Sequence, residues 1–209
     1  MSTPRTVTLY TDYKSPYAYL AKDPAYALER DFGVKIDWLP YVLNIPDFLG
    51  SARLDDQGNV VEENRTAHQW RRIKYSYMDC RRQARKRGLT IRGTTKIWDT
   101  GLAACGMLWA KRRGDTVFRT YHDRVFERFW KRELDIEEIA VVTAMLSEAG
   151  ADIGGFVAYA AEAGPAEVNR IRLNAEAAGV FGTPTFVIDG ELFWGGEHIP
   201  DIRDVLARD

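Results

Sequence analysis

Cysteine, histidine and long apolar runs are all scarce in this sequence of 209 residues, and each scarcity excludes a class of protein. The two cysteines, Cys80 and Cys105, form no C-x-x-C pair and have no ligand-like spacing to the three histidines. We therefore expect neither a zinc site nor a disulfide scaffold. No run approaches the roughly 18 apolar residues of a membrane-spanning helix. Residues 1–5 do not lead into the apolar segment of a secretion signal, so the reducing cytoplasm is the expected location.

Net charge is also nearly absent, but the two signs are segregated along the chain. The 29 Lys and Arg oppose 30 Asp and Glu, which argues against a uniformly basic nucleic-acid coat or an acidic disordered chain. Residues 1–64 carry 6 basic and 10 acidic side chains, residues 65–132 carry 19 and 5, and residues 133–209 carry 4 and 15. The middle third is therefore strongly cationic and the two ends are acidic.

The N-terminal residues show a strand, a helix and a second strand. Alternating apolar residues predict a strand over Arg5–Thr11. Ser15 and Pro16 are typical of a helix start, with a hydroxyl at the N-cap and a proline at the first helical position. We expect Pro24 to kink or restart this helix. A second strand follows over Val34–Tyr41, which completes a β-α-β unit.

The C-terminal residues predict a hairpin and a helix. Asp189-Gly190 is a strong hairpin signal between the apolar segments Thr185–Ile188 and Glu191–Trp194. The segment Ile199–Ala207 has the pattern of a closing helix.

Between the two ends, residues 44–64 look like a loop and the next hundred residues look almost wholly helical. Apolar spacing and end signals predict helices over 62–87, 99–113, 115–132 and 136–148, and two more that bracket Gly164-Pro165. The third of these carries a stripe that we interpret as core, made of Tyr121, Val125, Phe126, Phe129 and Trp130.

The order of elements predicts an α/β protein with a thioredoxin fold that is opened after its second strand by a large all-helical insertion. We assign residues 1–45 and 180–209 to the thioredoxin-like domain and residues 46–179 to the insertion. If the acidic domain and the cationic insertion face each other across a cleft, their charges attract each other and draw anionic ligands inward.

Ser15 lies where a thioredoxin fold carries its reactive group. Backbone N–H groups and the helix dipole stabilise an anion at that position. Residues 15–18 occupy the place of a C-x-x-C motif but contain no sulfur, so disulfide exchange is excluded because it needs a protein thiolate. A hydroxyl at this position can stabilise a thiolate supplied from outside, such as that of glutathione. The alternative is that Ser15 is an ordinary N-cap.

Thr183-Pro184 opens the returning strand, and its peptide bond is a candidate for the cis form. A cis proline there would face the start of the first helix and present the Thr183 backbone to an extended peptide. The alternative is a plain proline at the first position of a strand.

Two segments, Tyr10–Ala21 and Gly179–Gly195, together resemble the 2-hydroxychromene-2-carboxylate isomerases and kappa-class glutathione transferases, which are DsbA-like proteins. The resemblance covers the two ends closely and the insertion only in kind. It implies that Ser15 contacts the sulfur of glutathione and that Thr183 pairs with the cysteinyl part. The glutathione-binding set that it implies is Ser15, Pro16, Tyr17, Thr183, Pro184, Gly196, Glu197 and His198.

The resemblance further implies a glutathione-dependent cis-trans isomerase of a 2-hydroxychromene-2-carboxylate-like aromatic or conjugated acid. In that reaction a thiolate adds to a conjugated enone, the resulting single bond rotates, and the thiolate is eliminated. Lys74 and Asp99 are candidate substrate residues, since Lys74 matches a basic position in part of the family and Asp99 stands where an asparagine is usual. The resemblance also implies a small anionic substrate and a homodimer.

Three alternatives remain at this point. One is a kappa-like glutathione transferase, and another is a thioredoxin-like binding protein without catalysis. A third is a nucleic-acid-binding module that uses the cationic helix with Trp70, Tyr75 and Tyr77, which we expect least. We expect no nucleic-acid, membrane or metal partner.

Overall fold

The computed structural model describes residues 6–55 and 57–208, and its first three elements are those predicted. Strand β1 is Thr6–Thr11, helix α1 is Pro16–Phe32 and strand β2 is Lys35–Pro40. Arg5, with which the predicted strand begins, lies outside the described residues. Strands β1 and β2 pair in parallel, which requires a crossover such as α1.

Helix α1 runs through Pro24 without a break, so of the two effects predicted for this proline, a kink or a restart, the restart is wrong. The helix continues to Phe32, although Pro24 has no N–H to donate to the carbonyl four residues earlier. That carbonyl belongs to Leu20, and the guanidinium of Arg87 donates a hydrogen bond to it. A tertiary contact thus satisfies the group that the proline leaves without its helical partner.

Residues 44–64 are not the loop that we predicted. They contain a short helix α2, Ile45–Leu49, and an antiparallel hairpin of β3, Ser51–Leu54, with β4, Val60–Asn64. The Asp55 carboxylate accepts hydrogen bonds from the N–H groups of two residues in the turn, at 2.9 and 2.8 Å. The insertion is therefore not all-helical, because local turn hydrogen bonds stabilise strands whose side chains are mostly exposed.

The predicted helices of the insertion are present with shifted ends. They are α3, Ala67–Lys86; α4, Gly101–Lys111; α5, Asp115–Trp130; α6, Ile139–Glu148; α7, Phe156–Ala161; and α8, Ala163–Ala177. Helix α3 starts later than predicted because β4 occupies residues 60–64 and Thr66 forms a capping box with Gln69. Pro165 lies in the first turn of α8, where its missing N–H needs no helical partner. The predicted core stripe of α5 is buried throughout.

The C-terminal elements return to the main sheet. Strand β5 is Thr185–Ile188, β6 is Glu191–Trp194 and helix α9 is Ile199–Leu206. Within the described residues the main sheet has four strands in the order β2-β1-β5-β6, with β5 antiparallel to both neighbours. Asp189 and Gly190 have positive φ angles of 51° and 88°, as the predicted two-residue turn requires. The predicted thioredoxin arrangement is therefore confirmed; the domain boundaries remain a prediction.

The carboxylate of Asp12 joins the β1–α1 loop to the insertion. It accepts hydrogen bonds from the Thr100 hydroxyl at 2.6 Å and from the Leu43 N–H at 2.7 Å, and its side chain is 1% exposed. The ammonium of Lys14 lies 3.5 Å away. These contacts fix the loop that leads to Ser15. In the part of the chain that is described, no helix combines the length and the apolar character needed to cross a membrane.

Candidate active site

The hydroxyl of Ser15 joins the start of α1 to the loop before β5. Its oxygen accepts a hydrogen bond from the Ala18 N–H at 3.2 Å, and the hydroxyl donates to the Thr183 carbonyl at 3.1 Å. Ser15 is therefore the predicted N-cap, followed by Pro16 at the first helical position. The contact across 168 residues of sequence also brings together the two motifs on which the resemblance was based.

The peptide bond between Thr183 and Pro184 is cis, as predicted. The Pro184 carbonyl accepts a hydrogen bond from the Gly195 N–H at 2.9 Å, which ties this loop to the end of β6. The hydroxyl oxygen of Thr183 is buried and has no hydrogen-bond partner within the described residues.

A cavity of about 570 Å³ opens beside these residues. Its walls come from α1, from the C-terminal part of α3 and from the segments around the cis proline and the end of β6. The lining residues are Tyr17, Leu20, Ala21, Pro24, Asp79, Gln83, Arg87, Thr183, Pro184, Trp194, Gly195, Gly196, Glu197 and Pro200. Five of the predicted site residues are therefore brought together here, namely Tyr17, Thr183, Pro184, Gly196 and Glu197.

Sequence reasoning missed the wall formed by Asp79 and Gln83 of α3 and by Arg87, the residue that follows this helix. These residues are four apart, so they project from one side of a helix. That spacing was visible in the sequence, and Asp79 is the one acidic residue in the basic segment 65–96. The sequence did not single out Arg87, because ten other basic residues of the same segment do not line the cavity.

Tyr17 and Asp79 form a polar pair at the wall of the cavity. The Tyr17 hydroxyl donates to the Asp79 carboxylate at 3.2 Å, and Gln83 donates to the same carboxylate at 2.9 Å. Burial, followed by the negative charge of Asp79, raises the pKa of Tyr17 well above its ordinary value. Tyr17 is thus a neutral hydrogen-bond donor at physiological pH and not a base.

Five predicted site residues do not line the cavity. Ser15 and Pro16 lie at the junction of β1 and α1, where Ser15 contacts Thr183. His198 is half-buried, and its Nδ1 lies 3.0 Å from the Asp201 carboxylate.

The two candidate substrate residues also lie outside this cavity. Lys74 is exposed on α3. Asp99 is exposed and accepts a hydrogen bond from the Gly101 N–H at 2.8 Å, which forms an Asx turn immediately before α4.

Both cysteines are buried away from solvent. Cys80 is 0% exposed and Cys105 is 1% exposed, and burial raises the pKa of each thiol to about 11. Both thiols are therefore protonated at neutral pH. Throughout residues 6–55 and 57–208, no cluster of three or more His, Cys, Asp or Glu side chains is arranged to hold a metal ion.

Comparison with known proteins agrees with this architecture. The family profile of the DSBA-like thioredoxin domain matches residues 6–207. The chain belongs to this family. It is similar to the 2-hydroxychromene-2-carboxylate isomerase of Sphingobium xenophagum, with 26% identity over 205 residues that cover 97% of this chain and 98% of that protein. The family resemblance predicted from the two chain ends is thereby confirmed.

Two solved structures share the fold of this DSBA-like protein. A 2-hydroxychromene-2-carboxylate isomerase superposes with a TM-score of 0.73 at 20% identity, over 97% of this chain and 95% of that chain. A probable DsbA oxidoreductase from Streptomyces coelicolor superposes with a TM-score of 0.74 at 19% identity, over 98% and 89%. The same fold thus occurs in proteins named for different chemistries, and the site residues have to distinguish them.

Proposed function

We propose that this protein is a glutathione-dependent cis-trans isomerase of an aromatic or conjugated acid similar to 2-hydroxychromene-2-carboxylate. The observation that carries the proposal is the Ser15 hydroxyl at the start of α1, hydrogen-bonded to the residue before the cis proline. The full-length similarity to the Sphingobium xenophagum isomerase supports the same reaction class.

The cavity fits glutathione in size and in donor chemistry. Its volume of about 570 Å³ lies within the range of roughly 300 to 1,000 Å³ that is typical of small-molecule sites. The Thr183 backbone would bind the cysteinyl part, and the Glu197 carboxylate would bind the γ-glutamyl amine. Ser15 does not line the cavity itself but is hydrogen-bonded to Thr183, which does, so the sulfur would have to lie beside Thr183 to reach the Ser15 hydroxyl. When bound, glutathione would supply the thiolate that adds to the conjugated bond and leaves again after rotation.

Ser15 stabilises an anion through a single hydroxyl hydrogen. That hydrogen is directed to the Thr183 carbonyl, while the oxygen accepts from the Ala18 N–H. Turning the hydrogen from the carbonyl to a sulfur anion leaves the bond to Ala18 in place. A hydrogen bond to a charged group contributes about 1.5 to 3 kcal/mol, which corresponds to lowering a thiol pKa by about one to two units.

The protein's own thiols support an isomerase over a disulfide oxidoreductase. Residues 15–18 carry no sulfur. The raised pKa values of Cys80 and Cys105 keep both thiols protonated and buried. Thiol–disulfide exchange requires an accessible thiolate, so we propose that this protein does not catalyse it.

Ser15→Ala tests the proposed role of the hydroxyl. We expect the glutathione-dependent isomerisation rate of a conjugated hydroxyaryl acid to fall roughly tenfold to a hundredfold, because the charge-assisted hydrogen bond is lost. The rate is followed by the change in ultraviolet absorbance of the acid. The matched control is Thr66→Ala, which removes the N-cap hydroxyl of α3 at a similar expected loss of about 1 kcal/mol in stability.

An unchanged rate for Ser15→Ala would contradict the catalytic assignment. Isothermal titration with glutathione separates the remaining possibilities. Accumulation of a stable glutathione conjugate in place of the isomer would favour a kappa-like transferase. No heat at millimolar glutathione would favour a thioredoxin-like binding protein without catalysis.

A further inference from the structure

Arg87 is the one basic residue among the described residues that line the cavity. The segment 65–96 contains 11 basic residues, and the other ten lie outside the lining. We propose that Arg87 is the carboxylate-binding residue of this cavity. The inference rests on the proposed function, because it identifies how that site recognises the acid group of its ligand.

Pro24 and Leu20 explain why the Arg87 guanidinium lies at the cavity wall. Pro24 cannot donate to the Leu20 carbonyl, and Arg87 donates to that carbonyl from the end of α3. Leu20 and Pro24 are themselves lining residues. A guanidinium has five N–H donors in a planar fork, and the Leu20 carbonyl is its one hydrogen-bond acceptor within the described residues. Several donors therefore remain for a ligand.

The neighbouring carboxylates do not neutralise Arg87. Asp79 accepts hydrogen bonds from Tyr17, Arg82 and Gln83. Within the described residues no ion pair of 4.0 Å or less joins Arg87 to Asp79 or Glu197. The guanidinium is thus anchored on one side and charged without a carboxylate partner.

A carboxylate is the ligand group that best matches this arrangement. Guanidinium and carboxylate form two parallel charge-assisted hydrogen bonds, which an ammonium cannot reproduce. Both glutathione and the proposed aromatic acid carry carboxylates, so either of them is a source of the bound group. The two ligands are distinguished by measuring each separately.

Isothermal titration with glutathione and with 2-hydroxycinnamate, a conjugated hydroxyaryl acid, tests the inference. We expect Arg87→Gln to weaken the Kd of one of these ligands at least tenfold, and the affected ligand identifies the source of the carboxylate. Arg87→Lys keeps the charge but loses the fork, so it should give an intermediate Kd. The matched control is Arg85→Gln, an equal change of charge at an exposed residue outside the lining, which should stay within about twofold of wild type.

The same substitution of Arg87, made in a Pro24→Ala variant, separates an effect on ligand binding from an effect on folding. Arg87→Gln removes the donor to the Leu20 carbonyl, whereas Pro24→Ala supplies the helical N–H that this carbonyl lacks. The double variant Pro24→Ala/Arg87→Gln is therefore compared with the single variant Pro24→Ala. The same tenfold loss in this pair assigns the effect to the ligand and not to the helix.

The outcomes distinguish this inference from the proposed function. If both ligands bind the Arg87→Gln variants as tightly as their references, Arg87 is not the carboxylate-binding residue, while the isomerase proposal stands or falls with Ser15→Ala. If wild type binds 2-hydroxycinnamate but not glutathione, glutathione dependence fails and the acid still tests Arg87. If wild type binds neither ligand, both proposals fail.

Discussion

At the scale of single residues, the site is characterised by a hydroxyl in the position where a C-x-x-C motif would place sulfur. Ser15 is an ordinary N-cap in its local structure. Its hydroxyl oxygen accepts a hydrogen bond from the Ala18 N–H, as is usual for a serine at the start of a helix. Its second bond, to Thr183, distinguishes it from an ordinary cap. This bond depends on a residue 168 positions away, so the sequence around Ser15 did not reveal it.

His122 is a buried residue that the proposed chemistry does not use. One ring nitrogen lies 3.0 Å from the Tyr13 hydroxyl, and the other has no hydrogen-bond partner within the described residues. Burial, followed by the positive charges of Lys22 and Arg119, lowers the pKa of His122 well below its ordinary value. The imidazole is therefore neutral in the folded protein at physiological pH.

We expect this histidine to make stability depend on pH. In the unfolded chain its pKa is about 6.5, so below that pH the unfolded state binds a proton that the folded state does not. Stability is full above about pH 6.5, and the free energy of unfolding should fall by about 1.4 kcal/mol between about pH 7.5 and about pH 5.5. Urea unfolding at the two pH values measures this change.

The control for this prediction is His122→Gln, which cannot titrate. This variant will be less stable than wild type at both pH values. Its free energy of unfolding should nevertheless fall less between the two pH values, because the contribution of His122 is absent. Equal losses in the two proteins would show that His122 does not cause the pH dependence.

At the scale of elements, packing between helices decides where side chains are tolerated. Helices α4 and α5 approach so closely at Gly106 that an added Cβ would lie 2.2 Å from the Tyr121 hydroxyl oxygen and 2.9 Å from a Val142 methyl group. Tyr121 is fully buried and donates to the Ala103 carbonyl of α4 at 3.0 Å, so its hydroxyl cannot move away freely. A glycine is therefore needed at position 106 because Tyr121 leaves no room for a Cβ, and not because the helix backbone demands it.

Gly106→Ala should therefore reverse the usual effect of this substitution. In an exposed helix interior the change stabilises by about 1 kcal/mol, whereas here overpacking should destabilise by about 1 to 3 kcal/mol. Thermal and urea unfolding measure the sign. In the double variant Gly106→Ala/Tyr121→Phe the hydroxyl contact is absent. Adding Gly106→Ala to Tyr121→Phe should therefore lower the free energy of unfolding less than adding it to wild type. A stabilised single variant would refute the close contact.

The elements also show where sequence patterns were informative. Ser15 and the Asp189-Gly190 turn are local signals, and the start of α1 and the β5–β6 hairpin were predicted closely. The β3–β4 hairpin was missed because its strands are short and largely exposed, so they lack the alternating pattern of a half-buried strand. The predicted restart at Pro24 was wrong, because Arg87, which is distant in sequence, donates a hydrogen bond to the Leu20 carbonyl.

At the scale of the whole molecule, the segregated charges meet between the insertion and the thioredoxin elements. Lys111 pairs with Asp37 of β2, and Arg119 pairs with Glu29 of α1. Lys22 of α1, which is largely buried, pairs with Asp123 of α5 at 2.9 Å. These pairs support the expectation that opposite charges help to join the two parts.

Asp12 makes a more buried connection, and Asp12→Ala tests it. The substitution leaves the Thr100 hydroxyl and the Leu43 N–H without their acceptor and Lys14 without its carboxylate. We expect a loss of about 3 kcal/mol or more in the free energy of unfolding, measured with urea. Thr100→Val removes a single donor and should have a smaller effect. A loss below about 1 kcal/mol for Asp12→Ala would show that this carboxylate does not hold the parts together.

The sequence by itself determined the family, the order of elements at both ends and the two motifs that meet at the site. These features depend on local signals, such as caps, turns and alternation, which neighbouring residues specify. Only the tertiary structure decided which of the basic residues in 65–96 reaches the cavity and that Lys74, Asp99 and His198 do not line it. The reason is that helical spacing fixes which side chains share a face, whereas packing against other elements fixes which face lines a cavity.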